Sequence, residues 1–209
     1  MYIPQIFEET DPHKLMSIIS RYSFATLITN STSGLEANHI PLFVNRSNDR
    51  DVLQGHLSKA NPLWQSVPDR SEVLVVFQGP NAYISPNYYP SKKEHGKVVP
   101  TWNYVAVHVK GTITYIHDEQ WNKAMINNLT NQHEQAQATP WSIADAPNEY
   151  IQKMLSAIVG IEIEMSSIVG KWKVSQNQSA DNKSGVIAGL SCINHSDAQS
   201  MAELVKEQV

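Results

Sequence analysis

The run FATLIT (Phe24 to Thr29), the turn signal Ser31-Thr32-Ser33-Gly34 and the returning run LEANHIPLFVN (Leu35 to Asn45) decide how this chain folds. β-Branched and aromatic residues on both sides of a short polar turn read as a β-hairpin. Ser47-Asn48-Asp49-Arg50 is a second turn signal, and DVLQGHLS (Asp51 to Ser58) a third strand. No helical crossover separates these strands, and a parallel pairing needs one. The sheet is therefore expected to be antiparallel. Pro41 lacks a ladder donor, which points to an edge position or a bulge there.

Outward from this core the punctuation stays legible. Upstream, Thr10-Asp11-Pro12 reads as a helix start, and Leu15, Ile18, Ile19 and Tyr22 mark one apolar helical face. Downstream, ANPLWQSV (Ala60 to Val67) predicts a short helix, and EVLVVFQG (Glu72 to Gly79) a buried central strand ending at Gln78. Pro80 to Pro100 carries four prolines and three tyrosines, and such a long stretch reads as a folded functional loop. TWNYVAVHVKGTITYIH (Thr101 to His117) predicts a long strand bent at Gly111, followed by helices over Asp118 to His133 and Ala146 to Ser156. IVGIEIEMSSIVGKWKVSQN (Ile158 to Asn177) alternates as one or two strands, and the polar tail from Ser179 holds two short helices. Six or so strands with peripheral helices predict a mainly β fold, a small antiparallel barrel with helical additions.

Composition narrows the function classes. In 209 residues, 16 Lys and Arg stand against 20 Asp and Glu, a formal charge of −4, which argues against a surface coated for non-specific nucleic-acid binding. Charged residues make up only 17%, and 21 Ser, 16 Asn and 13 Gln supply the polarity instead. The single cysteine, Cys192, excludes an internal disulfide and a cysteine-rich metal site from one chain. The acidic N-terminus lacks an apolar signal core and no run is long enough to span a membrane, so a cytoplasmic protein is expected. No glycine phosphate fingerprint, no HExxH and no GxSxG elbow is present, and neither a metal site nor a classical catalytic set is expected.

Three segments carry binding chemistry. In GHLSKANP (Gly55 to Pro62), His56 sits near the end of a strand, and Ser58 and Lys59 precede Asn61-Pro62. A hydroxyl, an ammonium and free helical N–H groups suit a phosphate monoester, and an Asn-capped strand–helix junction explains the same residues. In VFQGPNAYISPNYYP (Val76 to Pro90), Gln78 lies among aromatic residues. In VPTWNY (Val99 to Tyr104), Thr101 and Asn103 share one strand face, and Trp102 and Tyr104 the other. Amides beside large π surfaces suit a heteroaromatic ligand with carbonyl and imide edges; core aromatics with surface amides is the alternative.

Taken together, MYIPQIF, NHIPLF, GHLSKANPLW, VFQGPNAYISPNYY, VPTWNYVAVHVKG and KWKVSQN, in that order, resemble the PaiB-like FMN-binding negative transcriptional regulators. The likeness runs from Met1 to about Gly189. It implies an FMN-binding split β-barrel, antiparallel and Greek-key-like, over residues 1–178, with 179–209 as a helical extension of the same domain. It also implies a homodimer with flavin at the subunit interface. The resemblance places the FMN phosphate at Ser58, Lys59 and Asn61, with His56 nearby. The strand residues His39, Ile40, Pro41 and Leu42 run beside the flavin, and Gln78, Thr101, Trp102 and Asn103 meet the ring or ribityl chain. Lys171, Gln176 and Asn177 reach the partner's site. The family commonly has arginine where Lys59 stands, so the charge is kept and the bidentate fork is lost.

Two functions follow from the resemblance. One is a dimeric repressor, although the only concentrated basic segment is Ser91 to Lys97 and direct DNA contact has no support from overall charge. The other is an FMN-dependent oxidoreductase related to pyridoxamine-phosphate oxidases and flavin reductases. A member that holds haem, or no flavin, is a third reading.

Overall fold

A computed structural model describes residues 1–47 and 50–209. Asn48 and Asp49, the centre of the second expected turn, lie outside the described residues. In chain order the elements begin with β1 (Glu8–Glu9) and α1 (Pro12–Arg21), then β2 (Phe24–Ser31), β3 (Gly34–Pro41), β4 (Phe43–Ser47) and β5 (Arg50–Ser58). Next come α2 (Leu63–Ser66), β6 (Glu72–Ile84), α3 (Lys92–His95), β7 (Thr101–Ile116), α4 (Glu119–Glu134) and α5 (Asn148–Ser156). β8 (Ile158–Lys173), α6 (Ala180–Ser191) and α7 (Ser196–Lys206) complete the chain. The described residues form two compact units. Unit 1 comprises Met1–Ile18, Gln78–Val107 and Val169–Val209; unit 2 comprises Ile19–Phe77 and His108–Ile168.

In unit 2 the strand order is β3-β2-β6-β7-β8-β5-β4, and the β2–β3, β2–β6, β4–β5 and β5–β8 registers are all antiparallel. The hairpin read from sequence is β2–β3, closed at Ser31 and Gly34, with Pro41 opposite Phe24 at its open end. Proline is tolerated there because β3 ends the strand path and needs donors on one side only. The returning run is nevertheless two strands. The chain breaks at Leu42, whose N–H donates to Ser23 O at 2.9 Å, and β4 then pairs with β5 at the other end of the order. On that side α4 covers the sheet through Phe43, Met125 and Leu129, with Trp121 and Ile126 packed around them. Asp118 caps α4 by accepting from the Trp121 N–H at 2.6 Å, which satisfies one orphan donor of its first turn.

Unit 1 contains the later part of β6 and the start of β7. β1 pairs with the end of β8, Glu8 opposite Lys171 and Glu9 opposite Gly170. β6 does not stop at Gln78: it continues through Gly79-Pro80 to Ile84, and Gln78 is exposed. Much of the expected long loop is therefore structured, as strand, a 3-10 turn over Pro86–Tyr88, and α3. The tail forms the two expected helices, which pack together through Val186, Leu190, Met201 and Val205, all fully buried. His195 caps α7, its Nδ1 accepting from the Asp197 N–H.

Candidate functional site

In unit 2 the end of β5 turns through a corner that the sequence marked. The Ser58 carbonyl accepts from the Asn61 N–H at 2.9 Å and its hydroxyl from the Ala60 N–H at 3.2 Å. The Lys59 backbone is pinned by its N–H to Ala157 O and by its carbonyl to the Trp64 indole N–H, at 2.8 and 3.0 Å. Asn61 caps the short α2 turn by accepting from the Leu63 N–H at 2.9 Å, and its amide donates to Asn38 Oδ1 at 2.7 Å. That last bond ties the corner to β3, where His39 is exposed and shares a hydrogen bond with Thr26. Ile40 and Leu42 are buried and Pro41 half-buried. Among the described residues the Lys59 ammonium has no hydrogen-bond or ion-pair partner, so a cation stands free on a rigid corner beside a hydroxyl.

His56 points elsewhere. It lies opposite Gly160, and the space a Cβ at Gly160 would fill is occupied by Asn122 Oδ1 and the Trp121 ring of α4. His56 Nδ1 and Asn122 Oδ1 are both buried without a partner among the described residues. Burial pushes the His56 pKa below its usual value, which favours the neutral ring. Below about pH 6.5 the unfolded chain takes up a proton that the folded chain resists. The stability linked to His56 is therefore present above that pH and is lost as pH falls toward the folded pKa. Urea midpoints at about pH 7.5 and about pH 5.5 are expected to fall less in His56→Leu than in the wild type. Equal falls in both would remove His56 from this role. His108 is shifted the same way by burial and remains in both proteins, so the comparison isolates His56.

Unit 1 holds a cavity of about 700 Å³. Thr101, Asn103, Lys173, Ser175, Asn177 and Asn182 line one side, and Ser91, His95 and Lys97 the loop side. The alternation of β7 puts Thr101 and Asn103 here. Trp102 faces away, exposed, edge-on to Tyr83 with ring centroids 6.1 Å apart. Asn103 is buried and donates to Ser175 Oγ at 2.8 Å. Ser175 has φ 64°, a left-handed backbone that costs a non-glycine residue about 1 kcal/mol or more and persists only where its surroundings enforce it. Gln176 supplies part of that enforcement: its side chain accepts from the Val174 N–H and donates to Trp172 O, at 2.8 and 2.5 Å.

Lys173, which sequence reasoning passed over in favour of Lys171, donates to Thr101 Oγ1 and to Trp102 O. Burial pushes its pKa down; the nearby Tyr104 opposes that shift and Lys171 adds to it. Lys171 itself is buried, donates to Tyr2 O at 3.1 Å and lies over the Tyr104 and Tyr2 rings at 5.1 and 5.8 Å. Of the residues expected to bind cofactor, Thr101, Asn103 and Asn177 thus meet at this cavity. Ser58, Lys59 and Asn61 meet at the corner in unit 2, with Asn38 joining it to the His39 strand. Among the described residues no cluster fits a metal ion, and no helix is long and apolar enough to cross a membrane.

Residues 1–167 match the family described as "Putative FMN-binding domain". The chain belongs to this FMN-binding family. It is 31% identical over 209 residues to the protease synthase and sporulation protein PAI 2 of Bacillus subtilis, covering 100% of this chain and 98% of that one. An uncharacterized protein of Emericella nidulans is 30% identical over 244 residues, covering 100% of this chain and 97% of its own. Among solved structures, the FAD and heme binding protein from Mycobacterium smegmatis superposes with a TM-score of 0.58 at 15% identity, over 87% of this chain and 80% of that one. The flavocytochrome Anf3 from Azotobacter vinelandii gives 0.57 at 11% identity, over 82% and 72%. The fold is therefore the antiparallel split barrel of flavin-binding proteins, and FMN is the cofactor. The donor set fits that cofactor: the unpartnered Lys59 ammonium and the Ser58 hydroxyl suit a phosphate dianion. The cavity residues from Lys173 onward lie outside the matched family span, although the PAI 2 likeness includes them.

Proposed function

We propose that this chain is a cytoplasmic, homodimeric FMN-binding protein of the PaiB type that acts as a negative regulator of transcription. The observation that carries the reading is the end-to-end likeness to PAI 2, a protein named for protease synthesis and sporulation. Ser58, Lys59 and Asn61 hold the FMN phosphate, and the strand around His39 runs beside the flavin. FMN supplies one- and two-electron redox chemistry when bound. The protein's part is to fix the phosphate and to present hydrogen-bond partners of the right polarity.

Two surface features support the partners in this reading. Tyr83, Trp102 and Val99 of unit 1 are 47%, 54% and 74% exposed, an aromatic and apolar patch suited to a second copy of the chain. Sedimentation is expected to give a dimer for the wild type and a monomer-shifted equilibrium for Trp102→Glu; a wild-type monomer would contradict the dimer. Lys92, Lys93 and Lys97 stand exposed around α3, the place where a local contact to DNA phosphates fits an otherwise acidic chain. Gel shifts against the neighbouring promoter are expected to weaken with salt and with alanine at these lysines. Absent binding, or binding indifferent to salt, would remove direct repression.

The cavity favours a second reading, an FMN-dependent oxidoreductase, because about 700 Å³ is room for a small molecule. Rapid anaerobic reduction of bound FMN by NADH or NADPH would favour the enzyme, and inertness the regulator.

A further inference from the structure

We propose that the unit 1 cavity binds a small anion, a carboxylate or phosphate ester, seated on the ammonium of Lys173. The inference rests on the flavin reading above and extends it. With the FMN phosphate assigned to the Ser58–Lys59–Asn61 corner, the cation of this cavity is left for a different anion.

Lys173 stands without a counter-charge among the described residues. Its ammonium reaches only neutral oxygens, the Thr101 hydroxyl and the Trp102 carbonyl. Lys171, two residues before it on the same face of β8, is buried against one carbonyl and two aromatic rings. Among the described residues neither lysine forms an ion pair with a carboxylate. Lys171 is buried and Lys173 half-buried; a cation partly withdrawn from water without a counter-charge loses hydration, and an anion that enters beside it restores what neutral acceptors do not. The depressed pKa of Lys173 carries the same sign, since burial and Lys171 both disfavour its charge.

The rest of the lining agrees in charge and polarity. Lys97 and Lys173 face a single carboxylate among the lining residues, Glu94, which is itself exposed on α3. Gln178, Ser179 and Asn182 line the wall where α6 begins, so the N-terminal end of a 12-residue helix contributes its partial positive charge. Ser91 also lines the cavity, and its buried hydroxyl has no partner among the described residues. The Asn182 side chain accepts from the Ser91 N–H and donates to Gln178, which fixes the loop and the helix start as one wall. The left-handed backbone at Ser175 completes it. A locally positive cavity in a chain of net charge −4 is the mark of an anion site.

The test uses the FMN-saturated protein titrated with succinate in a calorimeter. Saturable binding is expected, weakened about tenfold or more in Lys173→Met and restored by Lys173→Arg, with FMN affinity close to wild type in both variants. Succinate that does not bind, or binds equally well to Lys173→Met, overturns the proposal. Joint loss of FMN and succinate in Lys173→Met also overturns it, because Lys173 would then belong to the flavin. Failure of the flavin reading shows separately: a chain that ignores FMN but still binds succinate through Lys173 keeps the anion site and loses only the cofactor assignment.

Discussion

Gly185→Ala is expected to destabilise unit 1 by about 3 kcal/mol, the upper range for overpacking a close backbone contact. An ideal Cβ at Gly185 would lie 1.9 Å from the Tyr88 carbonyl oxygen and 2.9 Å from Pro90 Cδ. One turn further along α6, a Cβ at Gly189 would lie 2.3 Å from the Tyr88 ring. These two glycines form a slot that receives the 3-10 turn over Pro86–Tyr88. Alanine is the better helix former by about 1 kcal/mol, so intrinsic propensity alone predicts stabilisation, and the sign of the result decides between the two effects. Gly96→Ala is the control. Its φ is 65° with open space around it, so it costs only the backbone strain, about 1 kcal/mol. Urea unfolding of the three proteins checks this. A Gly185→Ala protein as stable as the wild type would mean that α6 does not rest on the Tyr88 backbone.

Paired replacement of Ser58 and Lys59 by alanine is expected to lower FMN affinity by about 100-fold or more, since hydrogen bonds to a charged group contribute about 1.5–3 kcal/mol each. Lys59→Ala alone carries most of that loss, and Lys59→Arg is expected to bind at least as tightly as lysine, because the guanidinium adds a bidentate fork. Fluorescence titration of FMN reads all three variants. The corner loses only the bond from the Ala60 N–H to the Ser58 hydroxyl: the Asn61 bonds to Leu63 and Asn38 and the Lys59 backbone bonds do not involve the deleted groups. Unchanged affinity in the double variant would place the phosphate elsewhere.

The local code of the fold was legible in the sequence, and its long-range pairings were not. Ser31 to Gly34 names the β2–β3 turn because the residues that make a turn are adjacent. LEANHIPLFVN runs without a glycine across the break at Leu42, and Pro41, which signals an edge or a bulge there, does not reveal that Phe43 pairs with Gln54 while Ile40 pairs with Ala25. Gly79-Pro80 reads as a strand end, yet β6 continues through it. Tertiary context overrode that punctuation.

The candidate site divides the same way. The Ser58 to Asn61 corner is built from neighbours in sequence, and its chemistry could be read directly. The cavity depends on Thr101 and Asn103 meeting Lys173 and Ser175 from a strand some seventy residues later. Alternation put Lys171 and Lys173 on one face. Depth alone separates them: Lys171 is sealed beneath Tyr2 and Tyr104, whereas Lys173 lines the cavity. Ser91 and Asn182 were missed because their contribution is a contact between the loop and a helix, not a motif.

The central claim is that this chain holds FMN through the corner at the end of β5. The most direct test is the visible spectrum of the purified protein, freed of ligand and titrated with FMN, with the Ser58 and Lys59 double variant alongside. The account predicts a saturable oxidised-flavin spectrum and quenched flavin fluorescence in the wild type, both largely lost in the variant. A colourless protein that ignores added FMN, or a variant that binds it as well as the wild type, would contradict the account.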